Sequence, residues 1–261
     1  MIRDVRIFAA ARALLAASCA LLAIGCGPGS DEPPPDDADA GADVAVTDDA
    51  AQDDATPEAD ASTPKDASSP NPCPALTYPS GVKIQTFQNA KMTATYANHL
   101  ASGEKAPKCF LDVDNLVDPD TGEVYPITVD VAAHFELEEL VGTEVSQGYG
   151  SFVLATPAAV ESLEKFRETL NTPVDVISGF RSPKHQEDVC QSLCGNPLGC
   201  SGTCANNSRH MFGDAFDLPL EFYTKADEQI ACDVGFKFAY LESGTHLHVD
   251  QNPDYKTCVI E

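Results

Sequence analysis

Glu242-Ser243-Gly244-Thr245-His246-Leu247-His248-Val249-Asp250 decides how this chain is read. His246, His248 and Asp250 alternate with Leu247 and Val249. In a β-strand that period puts the polar side chains on one face and the apolar ones on the other. A second stretch lies upstream: Ser208-Arg209-His210-Met211-Phe212-Gly213-Asp214-Ala215-Phe216-Asp217. Gly213 can relax the backbone into a turn after His210. Ala215 and Asp217 alternate with Phe216 and Leu218, so Asp217 is expected to leave a second strand beside the first. Together the two stretches offer two imidazoles and a carboxylate for one metal, with a His and a Glu to spare. Zinc held by three protein ligands keeps a fourth position for water, which makes a catalytic site rather than a structural one.

Two further segments precede these. One is Ser178-Gly179-Phe180-Arg181-Ser182-Pro183; the other is His134-Phe135-Glu136-Leu137-Glu138-Glu139-Leu140. With His210, Asp217 and the His-x-His pair, their order resembles the LAS metallopeptidases. That group includes the D-alanyl-D-alanine carboxypeptidases of peptidase family M15, the vancomycin-resistance dipeptidases and the zinc fold of hedgehog domains. The resemblance covers roughly residues 131–250. It implies an α+β fold, a small antiparallel sheet with flanking helices and the zinc site on the sheet. It implies His210, Asp217 and His248 as Zn2+ ligands, and Arg181, with Ser208, as substrate contacts for a carboxylate or a peptide carbonyl. Glu242 stands six residues before His248, where hedgehog domains carry a Glu. The dipeptidases carry theirs three residues before the ligand, where this chain has Thr245. Glu242 is therefore the expected base, with His246 as a competing or cooperating group.

The chemistry asks for these residue types. Water activated by zinc must lose a proton to attack an amide, and a nearby Glu or His can take it. The oxyanion needs a donor besides the metal, which a protonated His246 supplies. Arg grips a terminal carboxylate with two parallel hydrogen bonds. The remaining histidines, His99, His134 and His185, read as core or surface residues.

The chain has 261 residues and a formal net charge of −25. Arg3 and Arg6 open it, and Ile7 to Ile24 is an Ala/Leu-rich run ending in Leu22-Ala23-Ile24-Gly25-Cys26. This resembles a bacterial lipoprotein signal, residues 1–25, with Cys26 lipidated. An ordinary secretory signal is the alternative. No second apolar run is long enough to span a membrane. Residues 27–72 lack aromatics, and thirteen Asp or Glu against one Lys give them a net charge of −12. Such a stretch cannot bury enough apolar surface to fold. Residues 26–72 read as an acidic disordered tether, anchoring the protein in the cell envelope. The acidity excludes nucleic acid as a natural partner.

Eight cysteines remain after Cys26: Cys73, Cys109, Cys190, Cys194, Cys200, Cys204, Cys232 and Cys258. An even number in an exported chain reads as disulfides. Nested pairs 190–204 and 194–200 would staple a helical turn and a loop beside the site. A four-cysteine zinc site is the rival, but it lacks the usual C-x2-C spacing.

Thr156-Pro157 starts a helix, and Asn171-Thr172-Pro173 stops it. A short strand is expected over 174–177, delivering Arg181. Ser182-Pro183 starts another helix, Thr224 caps one through Ala231, and 237–241 reads as a strand. Residues 73–130 form an extension of uncertain fold, and 131–261 the zinc peptidase domain. Asp112, Asp114, Asp118 and Asp120 suggest a calcium loop, but their spacing fits a solvated turn better.

Two classes of function follow. One is a zinc peptidase that hydrolyses peptidoglycan stem peptides, as a D-Ala-D-Ala carboxypeptidase or a related endopeptidase. The other is a catalytically inactive zinc-containing binding module. A peptidase for other envelope peptides is a third possibility.

Overall fold

The computed structural model describes residues 71–201, 203–219, 223–242 and 245–261. The signal segment, Cys26 and nearly all of the acidic stretch lie outside them. Among the described residues no helix is long and apolar enough to cross a membrane.

In chain order the elements are β1 (Leu76–Thr77), β2 (Lys83–Ile84), β3 (Phe87–Gln88), α1 (Ala90–Thr95), β4 (Cys109–Asp112), β5 (Leu116–Val117) and β6 (Val124–Tyr125). Then come α2 (Leu137–Ser146), β7 (Phe152–Val153), α3 (Pro157–Leu170), α4 (Pro183–Cys194) and β8 (Ala215–Pro219). The last are α5 (Lys225–Asp233), β9 (Phe238–Glu242), β10 (His246–Asp250) and β11 (Val259–Ile260). The class is α+β, as expected.

The principal sheet has the order β11-β9-β10-β8. β10 runs antiparallel to both β8 and β9, while β11 lies parallel to β9 at the edge. Strand alternation sorts the side chains cleanly. Phe216, Leu218, Ala239, Leu247 and Val249 are buried in the core. Asp217, Tyr240, Glu242, His246 and His248 project from the opposite face, because each is one residue out of phase.

The helices form where the sequence marks them. Val160, Leu163 and Phe166 are fully buried along one side of α3. Asn171 ends that helix in the left-handed region at φ 52°, which Asn tolerates better than most residues. Ser182 caps α4 by accepting from the His185 amide at 3.2 Å. Thr224 and Asp227 form a capping box on α5, which runs two residues past the expected end.

One expected element is absent. Residues 174–177 form no strand; a single bridge joins Ser178 to Asp217. Pro173 has no amide to donate. Val174 and Val176 do face the core while Asp175 and Ile177 are exposed, but the segment meets a partner strand only at its end, at Asp217. The chain then turns away onto α2, where the Phe180 amide donates to the Leu140 carbonyl at 3.0 Å. Gly179 permits this approach, since a Cβ there would sit 2.1 Å from the Leu140 carbonyl oxygen. The two upstream segments quoted from the sequence are thus packed on each other.

Residues 73–130 add β3 and β4, which β7 completes into a three-stranded sheet, and two short hairpins, β1-β2 and β5-β6. One hydrophobic core runs from Tyr78 through Val249. The aspartate-rich stretch is a turn: Asp118 accepts from the amides of Asp120 at 2.7 Å and Thr121 at 2.9 Å.

All eight cysteines are paired: Cys73–Cys109, Cys190–Cys204, Cys194–Cys200 and Cys232–Cys258. The nested pairing next to the site is the one expected. Four disulfides fit an oxidising, extracellular compartment. Cys73–Cys109 closes the longest loop, 36 residues, and in the chain-entropy account contributes about 3–4 kcal/mol. Titration of the denatured, non-reduced domain should therefore find no reactive thiol. Several reactive thiols would break the assignment.

Candidate metal centre

His210 lies on a short 3-10 turn, residues Arg209–Phe212, that ends at Gly213. Gly213 adopts φ +66°, and a Cβ there would meet the Leu154 carbonyl carbon at 2.4 Å. The turn can therefore press against the β7–α3 connection, where the Thr156 amide donates to the Gly213 carbonyl at 2.8 Å. This places the imidazole under the first residues of β8.

Three ligand atoms converge there. His210 Nε2 is 3.1 Å from Asp217 Oδ1, and His248 Nδ1 is 2.9 Å from the same oxygen. His248 and Asp217 are direct cross-strand partners, so the sheet register itself brings them together. His210, Asp217 and His248 are a group that could hold a metal ion, with one ligand atom from each lying within 4.8 Å of the others. Ligands bound tetrahedrally at 2.0–2.1 Å stand about 3.3–3.4 Å apart, so small side-chain adjustments suffice.

The hydrogen bonds around the group set its donors and acceptors. His210 Nδ1 lies 2.6 Å from the Gly179 carbonyl. A carbonyl only accepts, so Nδ1 donates and the Nε2 lone pair faces the centre. His248 Nε2 lies 3.3 Å from Asp250 Oδ2, so it donates outward and Nδ1 faces inward. With both rings neutral, two imidazole lone pairs and a carboxylate oxygen meet with no proton between them. That arrangement suits a cation.

Electrostatics follow from burial and pairing. Burial pushes the His210 pKa down to about 4, which keeps the ring neutral. Burial opposes the Asp217 charge, but His210, His246 and His248 outweigh it and hold its pKa well below the ordinary carboxylate value. Burial also opposes charge on His248, yet Asp217 and Asp250 hold its pKa up at about 9. Below that pH the metal-free ring carries an extra proton, which an incoming metal must displace. Metal affinity should therefore weaken as pH falls, by up to about tenfold per unit below 9. Calorimetry in two buffers of different ionisation enthalpy should count about one proton released per metal at neutral pH. Zero release would contradict this picture.

Glu242 and His246 flank the centre. They are cross-strand partners on β9 and β10. His246 Nε2 is 3.2 Å from Asp217 Oδ1 and 3.3 Å from Glu242 Oε2. Glu242 belongs to the strand rather than to the loop, and its side chain is 47% exposed.

Arg181 closes the other side. Its Nε donates to Ser178 Oγ at 2.8 Å, and one terminal nitrogen donates to Asp217 Oδ2. The other lies 3.4 Å from Gln186 Oε1. Two of its five N–H groups have no partner among the described residues, and the side chain lines the cleft. Ser208 caps no amide of the turn it begins. Both residues line a cavity of about 630 Å³ that contains the three candidate ligands.

The sequence assigned no role to four contributors. Asp250 was legible in principle, since alternation put it on the ligand face. The Gly179 carbonyl has no side-chain signature. Ser178 and Gln186, which brace Arg181, carry no pattern of their own. Of the other histidines, His99 and His185 are buried, while the His134 side chain is 41% exposed and paired with Glu164.

No family model matches the chain, and no curated protein matches it.

Proposed function

We propose that the protein is a zinc peptidase of the cell envelope, acting on peptidoglycan stem peptides. The observation that carries this is the convergence of His210, Asp217 and His248 on the sheet face that also presents His246 and Glu242. The envelope and the substrate class come from the export signature and the family resemblance.

The donor set, two imidazoles and one carboxylate, fits zinc in its catalytic form. When bound, zinc would supply Lewis-acid activation of a water and of the scissile carbonyl. The chain's own residues supply the rest. Glu242 accepts the proton released by the attacking water and returns it to the departing amine. The amide C–N bond breaks, the water oxygen joins the carbonyl carbon, and its hydrogens are divided between the two products. His246, protonated on Nε2, donates to the carbonyl oxygen as charge develops there. Arg181 directs its two spare N–H groups at a peptide carbonyl, while its contact with Asp217 fixes the orientation of that ligand. The partial exposure of Glu242 lets it exchange protons with solvent between turnovers.

A silent zinc-binding module would not need both groups beside the metal, so their position supports the enzyme. The test is muropeptide analysis with the purified, zinc-loaded domain. New stem-peptide products, lost on chelation and restored by zinc, are expected. An unchanged muropeptide profile across a range of stem peptides would favour the binding module.

A further inference from the structure

The register gives the cleft a direction. Three cross-strand rows cross its floor: Glu242 with His246, then Tyr240 with His248 and Asp217, then Phe238 with Asp250 and Ala215. The candidate ligands His248 and Asp217 occupy the middle row. Rows are two residues apart along a strand, or about 6–7 Å. The metal cavity is continuous past the third row, where Asp254 and Tyr255 line it. Beside the first and middle rows a second cavity of about 530 Å³ lies between the β9 residues Tyr240 and Glu242 and the disulfide-stapled loop. The two cavities share Thr203, Cys204, Ala205, Tyr240 and Glu242 in their walls. Walled space therefore leaves the centre in two directions, past the third row and under the stapled loop.

A site for a chain terminus is built differently. It closes beside the reacting bond and keeps a free cation for the carboxylate. The only Lys or Arg residues lining either cavity, among the described residues, are Arg181 and Arg209. Arg181 is engaged with Asp217, Ser178 and Gln186. Arg209 is engaged with Asp214 and with Glu104, the latter at 2.7 Å. Each is already paired with a carboxylate, so neither offers an uncompensated charge to a chain terminus. Among the described residues the stapled cavity contains one ionisable side chain, Glu242, and is otherwise lined by neutral groups such as Leu198, Thr203 and Ala205. It disfavours an acidic side chain and suits a small or medium neutral one.

We infer that a peptide runs through this cleft, that the bond cut is an interior one, and that the stapled loop holds a neutral side chain of the substrate. The chain is then an endopeptidase rather than a carboxypeptidase, which takes the peptidase reading above as its premise. The stapling disulfides give this subsite a rigid wall, and a preformed wall costs less ordering on binding than a mobile loop.

The test is a panel of peptides on the zinc-loaded protein. Each is made with a free and with an amidated C-terminus, and in short and two-sidedly extended forms. Amidation should change kcat/KM by less than about threefold, because no terminal carboxylate is bound. Extension should raise it by about tenfold or more, the scale of one well-filled side-chain pocket. Leu198 is half exposed, so Leu198→Asp should fold and keep its metal. It should cut the preference for extended over short peptides about tenfold. Thr203→Asp, on the shared wall, should do the same. Cleavage abolished by amidation, or an unchanged preference in both variants, would overturn the inference while leaving a peptidase. No cleavage of any peptide by metal-loaded protein would instead overturn the peptidase reading, and this inference with it.

Discussion

His248→Ala should empty the metal centre. The variant removes one of three ligand atoms, from a side chain that β10 delivers directly opposite Asp217. Losing only an outer hydrogen-bond partner of a ligand costs about 10–100-fold in metal affinity. Losing the ligand itself should cost more than about 100-fold on the same scale. Elemental analysis after dialysis should find near one zinc per wild-type chain and almost none in the variant. His248 is the better choice than Asp217 for this test. Asp217 is also the partner of the half-buried Arg181, and breaking that pair strands a charge, at a cost of about 3–5 kcal/mol. His248→Ala leaves Asp250 its contact with the Asn252 amide at 2.9 Å, so the fold should survive. Undiminished zinc in the variant would sink the ligand assignment, and zinc retained at the cysteines is already disfavoured by their four pairings.

This centre was unusually legible, for a physical reason. A period of two survives in sequence whenever one sheet face is dry and the other polar. His246-Leu247-His248-Val249 shows that pattern without interruption, and the Leu and Val are indeed fully buried. Helix boundaries were legible where Pro, Ser, Thr or Asn fixed the backbone, as at Pro157, Ser182 and Asn171. The nested disulfides were legible from their symmetric spacing. What failed was alternation without a partner strand. Residues 174–177 have the right pattern, and Val174 and Val176 do face the core, but a single bridge at Ser178 is all the pairing they lead to. What stayed hidden was pairing across long sequence distances. The Gly179 carbonyl that orients His210 and the Leu140 carbonyl that seats Phe180 are main-chain groups, which every residue possesses. Residues 73–130 were opaque because their strands are two to four residues long, too short for any period to show.

Glu242→Ala should keep the metal and lose turnover. Its carboxylate is a near neighbour of His246 but is not among the three candidate ligands, so elemental analysis should read as wild type. General acid–base groups typically contribute 10²–10⁴-fold, and a fall in kcat of about that size is expected. Glu242→Gln is the stricter form, because it keeps the shape and removes only the proton acceptor. His246→Ala should also keep the metal, and should lower kcat by weakening stabilisation of the carbonyl oxygen, by about 10²–10³-fold. The two losses should not add, since His246 Nε2 and Glu242 Oε2 are 3.3 Å apart and groups acting as a unit are strongly non-additive. Their pH profiles separate the roles. The limb set by ionisation of the base should disappear in Glu242→Gln and persist in His246→Ala. If Glu242→Ala turns over like wild type, His246 inherits the role of base. If the double variant is fully active on every peptide that the wild type cleaves, neither residue takes part and the chemistry assigned to this face is wrong.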